Sequence, residues 1–121
     1  MYSLKKGVKV DRLHPSISQR LPSLGFLWRA FFPEDEDGLT ITSGHEGSPA
    51  DKIHMLHSFH YTQNFSDEMG RAIDLRVRDV PHERIDLAVA AMKLLLGSKY
   101  DVVWGEKYKH TDHIHIEYDP K

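Results

Sequence analysis

Residues 81–97 constrain the fold more than any other stretch of the chain. Pro81 suits a helix start, Ile85, Ala88, Val89, Met92, Leu95 and Leu96 share one helical face, and Gly97 supplies a stop. Runs of strand character flank this helix. Residues 72–77 (Ala-Ile-Asp-Leu-Arg-Val) precede it, and residues 101–104 (Asp-Val-Val-Trp) and 113–118 (His-Ile-His-Ile-Glu-Tyr) follow it. The last two are close enough in sequence to predict an antiparallel hairpin, joined by a polar turn over residues 105–111. A helix with one apolar stripe must bury it, and a sheet of such strands offers the matching face.

The N-terminal part is less regular. Ile17, Leu21, Leu24, Leu27, Trp28 and Phe31 have helical spacing, with Pro15 suited to a first turn. Pro22 and Gly25 predict a break of this stretch into two short helices. The acidic run from Glu34 to Asp37, closed by Gly38, predicts an exposed turn, and Leu39-Thr-Ile-Thr42 a strand ending at Ser43-Gly44. Residues 45–69 are polar, rich in histidine and without a sustained period, which makes them a candidate functional loop. The order of elements predicts an α+β fold: a small, mainly antiparallel sheet with N-terminal helices and one long helix. With 121 residues, the chain is expected to form a single domain over 1–121.

Composition removes whole classes of chemistry. There is no cysteine, which excludes disulfide scaffolds, thiol nucleophiles, iron–sulfur clusters and Cys-ligated zinc. Sixteen Lys and Arg against eighteen Asp and Glu leave a net charge of −2 and no basic block, so neither nucleic acid nor an anionic membrane is an expected partner. The opening Met-Tyr-Ser-Leu-Lys-Lys carries positive charge without a following apolar run, so no signal peptide is expected and synthesis is expected in the cytoplasm. Nine histidines point to metal or proton chemistry.

Those histidines differ in what they can do. In His113-Ile-His115, strand alternation puts both imidazoles on one face and Ile114 and Ile116 on the other, with Asp112 at the strand start. That face is either a solvated surface or the wall of a site. Asp74, in Arg71-Ala-Ile-Asp-Leu, shares a face with Ala72 while Ile73 and Leu75 turn to the core. A carboxylate there needs a partner, either a salt bridge to Arg76 or Arg78 or a metal. His54 and His57 are expected to be loop histidines, and His14, His82 and His110 surface residues. His45-Glu46 is followed by Gly47 and Pro49 rather than by a second histidine, so it is not an HExxH motif.

Taken in order, Ser58-Phe-His-Tyr61, Gly70-Arg-Ala-Ile-Asp74 and Asp112-His-Ile-His115 closely resemble the motifs of one zinc metallopeptidase family. It comprises the D-Ala-D-Ala carboxypeptidases, the vancomycin-resistance D,D-dipeptidases and the L-alanyl-D-glutamate endopeptidases of bacteriophages, and its fold is shared by the Hedgehog signalling domain. The resemblance covers about residues 40–118 and includes Ile41-Thr-Ser-Gly44 as the strand into the site.

The resemblance implies one Zn2+ held by His60, Asp74 and His115. It makes Asp112 the general base and His113 its companion, able to support the oxyanion, and puts Ser58 near the substrate. It implies a monomer that acts on peptidoglycan stem peptides at the bacterial cell wall, in a phage lysis or virion context. The rival class is a non-catalytic zinc-bearing binding module of the same fold. Two departures stand out. His60 and Asp74 are fourteen residues apart where the family has seven, which implies an insertion within residues 62–69, a mobile rim over the site. A strict spacing would select Asp67 instead. Where many relatives carry an arginine after the Ile-Thr-Ser-Gly strand, this chain has His45-Glu46, leaving either Arg71 or His45 as the substitute for substrate binding.

Overall fold

The computed structural model describes residues 2–51, 54–55, 57–105 and 110–120. In chain order they form β1 (Tyr2–Leu4), α1 (Pro15–Ser18), α2 (Leu21–Phe31), β2 (Leu39–Ser43), β3 (Ala72–Arg76), α3 (Ile85–Leu96), β4 (Tyr100–Gly105) and β5 (His110–Tyr118). The strands make one sheet in the order β1-β2-β3-β5-β4. Only β1 and β2 run parallel; β2/β3, β3/β5 and β4/β5 are antiparallel. The α+β class, the mainly antiparallel sheet and the terminal hairpin are as the sequence predicts. Residues 106–109 of the expected polar turn and the side chain of His110 lie outside the described residues. No helix among the described residues is long and apolar enough to cross a membrane.

Two details of the N-terminal half differ from expectation. The helical stretch does divide in two, but at Gln19 and Arg20 rather than at Pro22 or Gly25. Pro22 falls in the first turn of α2, where a missing N–H costs nothing. Gly25 is buried in the interior of that helix, its weak helix propensity outweighed by the packing of Leu21, Leu24 and Trp28. The sequence pattern also gave no sign of β1. Three residues are too few to show alternation, and the strand exists because its backbone pairs with Leu39, Thr40 and Ile41.

Register divides the sheet into two faces. Ile73 pairs with Ile116 and Leu75 with Ile114, all fully buried. They meet Trp28 and Phe32 from the α2 side, and Ile85, Ala88 and Met92 of α3, in one continuous core. Each such side chain contributes about 1.5–3 kcal/mol on burial. On the opposite face the same register sets Asp74 beside His115 and Arg76 beside His113. An apolar face that must pack against helices therefore fixes which side chains its reverse presents.

A strap formed by residues 9–14 ties the loops over that second face. His45 N–H donates to the Lys9 carbonyl at 2.9 Å, Gly70 N–H to the Arg12 carbonyl at 2.9 Å, and His14 N–H to the Gly70 carbonyl at 2.8 Å. The approach is close enough to demand glycine. A Cβ on Gly44 would lie 2.1 Å from the Lys9 carbonyl oxygen, and one on Gly70 would lie 2.8 Å from both the His60 carbonyl oxygen and the His45 Cβ. Gly44→Ala is expected to cost on the order of 2–3 kcal/mol, since backbone must give way rather than a flexible side chain. Urea unfolding checks this, and a loss below about 0.5 kcal/mol, the scatter of neutral surface changes, would contradict the strap.

Candidate metal centre

Three elements bring the polar groups together. Asp74 comes from the centre of β3, His115 from its neighbour β5, and His60 from the loop between β2 and β3. His60 is placed by its surroundings. Its N–H donates to Ser58 Oγ at 3.1 Å, and its ring Nδ1 lies 2.8 Å from the Gly44 carbonyl oxygen. A carbonyl only accepts, so Nδ1 carries the proton. The other nitrogen, Nε2, is buried without a hydrogen-bond partner and faces Asp74 Oδ1 at 3.3 Å.

In a neutral His60 this sets a nitrogen lone pair against an ionised carboxylate, both 8% exposed or less at the side chain. Two acceptors face to face are unfavourable in a buried setting unless a proton or a metal ion lies between them.

His115 is the other imidazole partner of Asp74, although it stands outside the group of three residues whose potential ligand atoms lie within 4.8 Å of one another. Its Nδ1 is 2.9 Å from Asp74 Oδ1 and its Nε2 2.8 Å from Glu117 Oε1. Burial alone would lower the His115 pKa, but the two carboxylates outweigh it and raise it to about 9. Burial likewise works to raise the Asp74 carboxyl, yet its contacts with His115 and His60 hold it well below the usual carboxylate range. A carboxylate on the far nitrogen of a histidine is the arrangement that orients metal-binding imidazoles. The His60 and His115 rings meet edge to face, centroids 5.2 Å apart, so their nitrogens approach Asp74 from different directions.

A further histidine belongs to this neighbourhood. His54, His60 and Asp74 form a candidate metal-binding group whose potential ligand atoms all lie within 4.8 Å of one another. The expectation of a bystander loop histidine at His54 is therefore corrected. Its ring stacks on that of His60 at 4.0 Å, and burial together with His60 pushes its pKa down to about 4, so it is neutral near pH 7. His57 is exposed, as expected of a loop residue. His14 is not an idle surface group: its Nδ1 caps α1 by accepting from Ser16 N–H at 3.1 Å, and its ring stacks on Tyr118.

Beside the group opens a cleft of about 470 Å³ whose lining includes Asp74, Asp112, His54, Ser43, Glu46, Lys5 and Lys6. Asp112 is exposed, and its Oδ1 lies 2.6 Å from Nδ1 of His113, whose Nε2 is 3.7 Å from Asp74 Oδ1. The sequence candidates His60, Asp74, His115, His113 and Asp112 thus share one region, and Ser58 supports the His60 backbone. Asp74 pairs with these imidazoles, not with Arg76 or Arg78.

Asp67 goes elsewhere, to Arg71 at 3.0 Å and His14 at 4.0 Å. Arg71 is held by that carboxylate and by stacking over Phe65 at 4.3 Å, and it does not line the cleft. His45 is turned away as well, its Nε2 lying 2.7 Å from Asp11 Oδ1 and 3.0 Å from the Arg12 backbone nitrogen. Residues 62–69 make a short turn at Thr62–Asn64 and hold Phe65 against Phe59, and none of them lines the cleft. None of them is buried, so the segment is no core element, as expected, but it lies beside Arg71 rather than over the cleft.

Glu117 contacts His115, and Glu46 lines the cleft, and neither was among the sequence candidates. For Glu117 a signal existed, since alternation from His113 and His115 reaches it next. Scans against protein-family models and searches of curated proteins and of solved structures match this chain to no relative.

Glu46 accepts from the Lys9 N–H at 3.1 Å, the Gly44 N–H at 2.9 Å and the Ser43 hydroxyl at 2.9 Å. Burial opposes its ionisation, but these donors prevail and hold the carboxyl below its ordinary value of 4.5. Its stabilising effect is thus present above that value and is lost as pH falls through the lower, folded one. Glu46→Gln is expected to make the acid-side loss of stability shallower, measured as thermal midpoints of the metal-free protein from about pH 6 down to 3. An unchanged acid limb would show that Glu46 is not held as described.

Proposed function

We propose that this chain is a zinc-dependent peptidase that hydrolyses a stem-peptide amide bond involving a D-amino acid in bacterial peptidoglycan. The observation that carries the metal is the buried, unpartnered Nε2 of His60 facing the Asp74 carboxylate. The zinc and the substrate rest on the motif resemblance described above. His60 through Nε2, Asp74 through its carboxylate and His115 through Nδ1 would hold the ion, a nitrogen and oxygen donor set suited to zinc. Bound zinc supplies Lewis acidity, which polarises an amide carbonyl and makes water more acidic.

The remaining steps fall to the chain. Asp112, exposed on the cleft wall, accepts a proton from the attacking water and returns it to the leaving amine. His113, bonded to Asp112 on one side and close to Asp74 on the other, orients that carboxylate and stands near the oxyanion. The cleft beside them gives an extended peptide room to lie across the site.

A second reading, a zinc-bearing binding module without catalysis, is favoured by one observation: the potential ligand atoms that lie within 4.8 Å of one another are those of His54, His60 and Asp74, so that with His115 the ion would have four protein ligands. A site with four protein ligands leaves no open position for substrate.

Incubating the zinc-loaded protein with purified peptidoglycan and weighing the released fragments by mass spectrometry separates these readings. Hydrolysis at a bond flanked by a D-amino acid is expected, and release of nothing from any peptidoglycan would favour the binding module.

His60→Ala, Asp74→Ala and His115→Ala are each expected to weaken zinc binding by orders of magnitude, with one equivalent bound by the wild type. Asp112→Asn keeps the shape but cannot take the proton. It is expected to retain the zinc while hydrolysis falls by about two to four orders of magnitude. Wild-type turnover in Asp112→Asn would place the base elsewhere.

A further inference from the structure

Ser43, Glu46 and His54 have no part in the chemistry proposed above, yet they form a continuous chain that ends on His60. Glu46 is anchored by two backbone amides and is ionised, so it can only accept. Ser43 Oγ lies 2.9 Å from Glu46 Oε2 and 2.8 Å from His54 Nε2. Its single proton must go to the carboxylate, which leaves Ser43 as the acceptor from His54. His54 therefore carries its proton on Nε2. The backbone of His54 is fixed too, its N–H donating to the hydroxyl of the fully buried Tyr61 at 2.8 Å.

The held ring lies flat on His60, centroids 4.0 Å apart and planes within 8°. Ring-nitrogen lone pairs lie in the plane of the ring. A cation held by the Nε2 lone pair of His60 would therefore be beyond the lone pair of the parallel His54 unless His54 left both the stack and Ser43.

We propose that Glu46, Ser43 and His54 are a positioning relay for the metal centre: they clamp the His60 imidazole from one side, while the Gly44 carbonyl fixes its Nδ1. One short turn, Ser43-Gly44-His45-Glu46, sets both rings, the first through side chains and the second through backbone. The relay rests on the metal-centre reading above and deepens it, because it keeps His54 as a support and leaves the coordination open at three protein ligands. Partners behind a ligand typically govern metal affinity by about 10–100-fold.

The test is zinc affinity, by competition with a chromophoric chelator, together with the melting temperature of each metal-free variant. Ser43→Ala and His54→Ala are expected to weaken binding by about 10–100-fold. Ser43→Thr, which restores the hydroxyl, and His54→Phe, which restores the stacked ring, are expected to stay near wild type. Equal losses in His54→Phe and His54→Ala would make His54 a ligand and overturn the relay. Wild-type affinity in both Ser43→Ala and His54→Ala would overturn it while leaving the metal centre standing.

Failure of the wild type to bind zinc would sink the metal reading itself. Nitrogen-15 NMR of the metal-free protein then judges the hydrogen-bonded chain on its own. His54 is expected in the Nε2–H tautomer in the wild type and not uniformly so in Ser43→Ala, whereas an Nδ1–H tautomer in the wild type contradicts the relay.

Discussion

Everything on the polar face of this sheet is arranged around one buried carboxylate. Asp74 sits in the middle of a central strand, 6% exposed, with Ala72 and Leu75 fully buried nearby. Such a group is costly to bury unless charge is returned to it. The imidazoles of His115 and His60 approach it from different elements, and a further ring, His54, backs one of them. The arrangement is nonetheless incomplete as a set of hydrogen bonds, because the one nitrogen of His60 that faces Asp74 has no proton to offer while the ring is neutral. A cation resolves that conflict, and the geometry makes sense as a place prepared for one.

The fold explains how so short a chain holds this arrangement. Helices α2 and α3 cover one face of the sheet and fix the register of β3 against β5, which sets Asp74 beside His115. Among the described residues the other face has no helix of comparable length, and loops supply its cover. The strap of residues 9–14 holds those loops by backbone hydrogen bonds through Gly44 and Gly70, where no side chain fits. The edge strand β1 carries the chain into the cleft region, where Lys5 and Lys6 join the lining. Rigidity near the candidate centre thus comes from backbone contacts and stacked rings rather than from a second layer of helices.

Much of this was legible from residue order. Alternation in His113-Ile-His-Ile-Glu set the face of β5, and an acidic residue amid Ile73 and Leu75 marked Asp74 as needing a partner. The motif match favours Asp74 although strict spacing would select Asp67, and in the fold Asp74 lies with His54 and His60 while Asp67 is held by Arg71 and His14. What escaped was local information of a different kind. His54 lies in a segment without a period, and no spacing rule connects it with Ser43 or Glu46. The three residues of β1 carry too little pattern to announce a strand. Pro22 looked like a breaker because its place within the first turn of α2 depends on where the preceding turn ends. Residues 62–69 looked too polar to enter the core, and none is buried, yet Phe65 and Asp67 meet Arg71 through stacking and an ion pair.

Zinc-edge X-ray absorption on the zinc-loaded protein, paired with an anomalous-difference map from its crystals, tests the central claim most directly. The account predicts one ion bonded to His60 Nε2, an Asp74 oxygen and His115 Nδ1 at about 2.0–2.2 Å, with a non-protein ligand in the remaining position. The His54 ring should still be stacked on His60 and bonded to Ser43. An ion bonded to His54, or held away from Asp74, would contradict it.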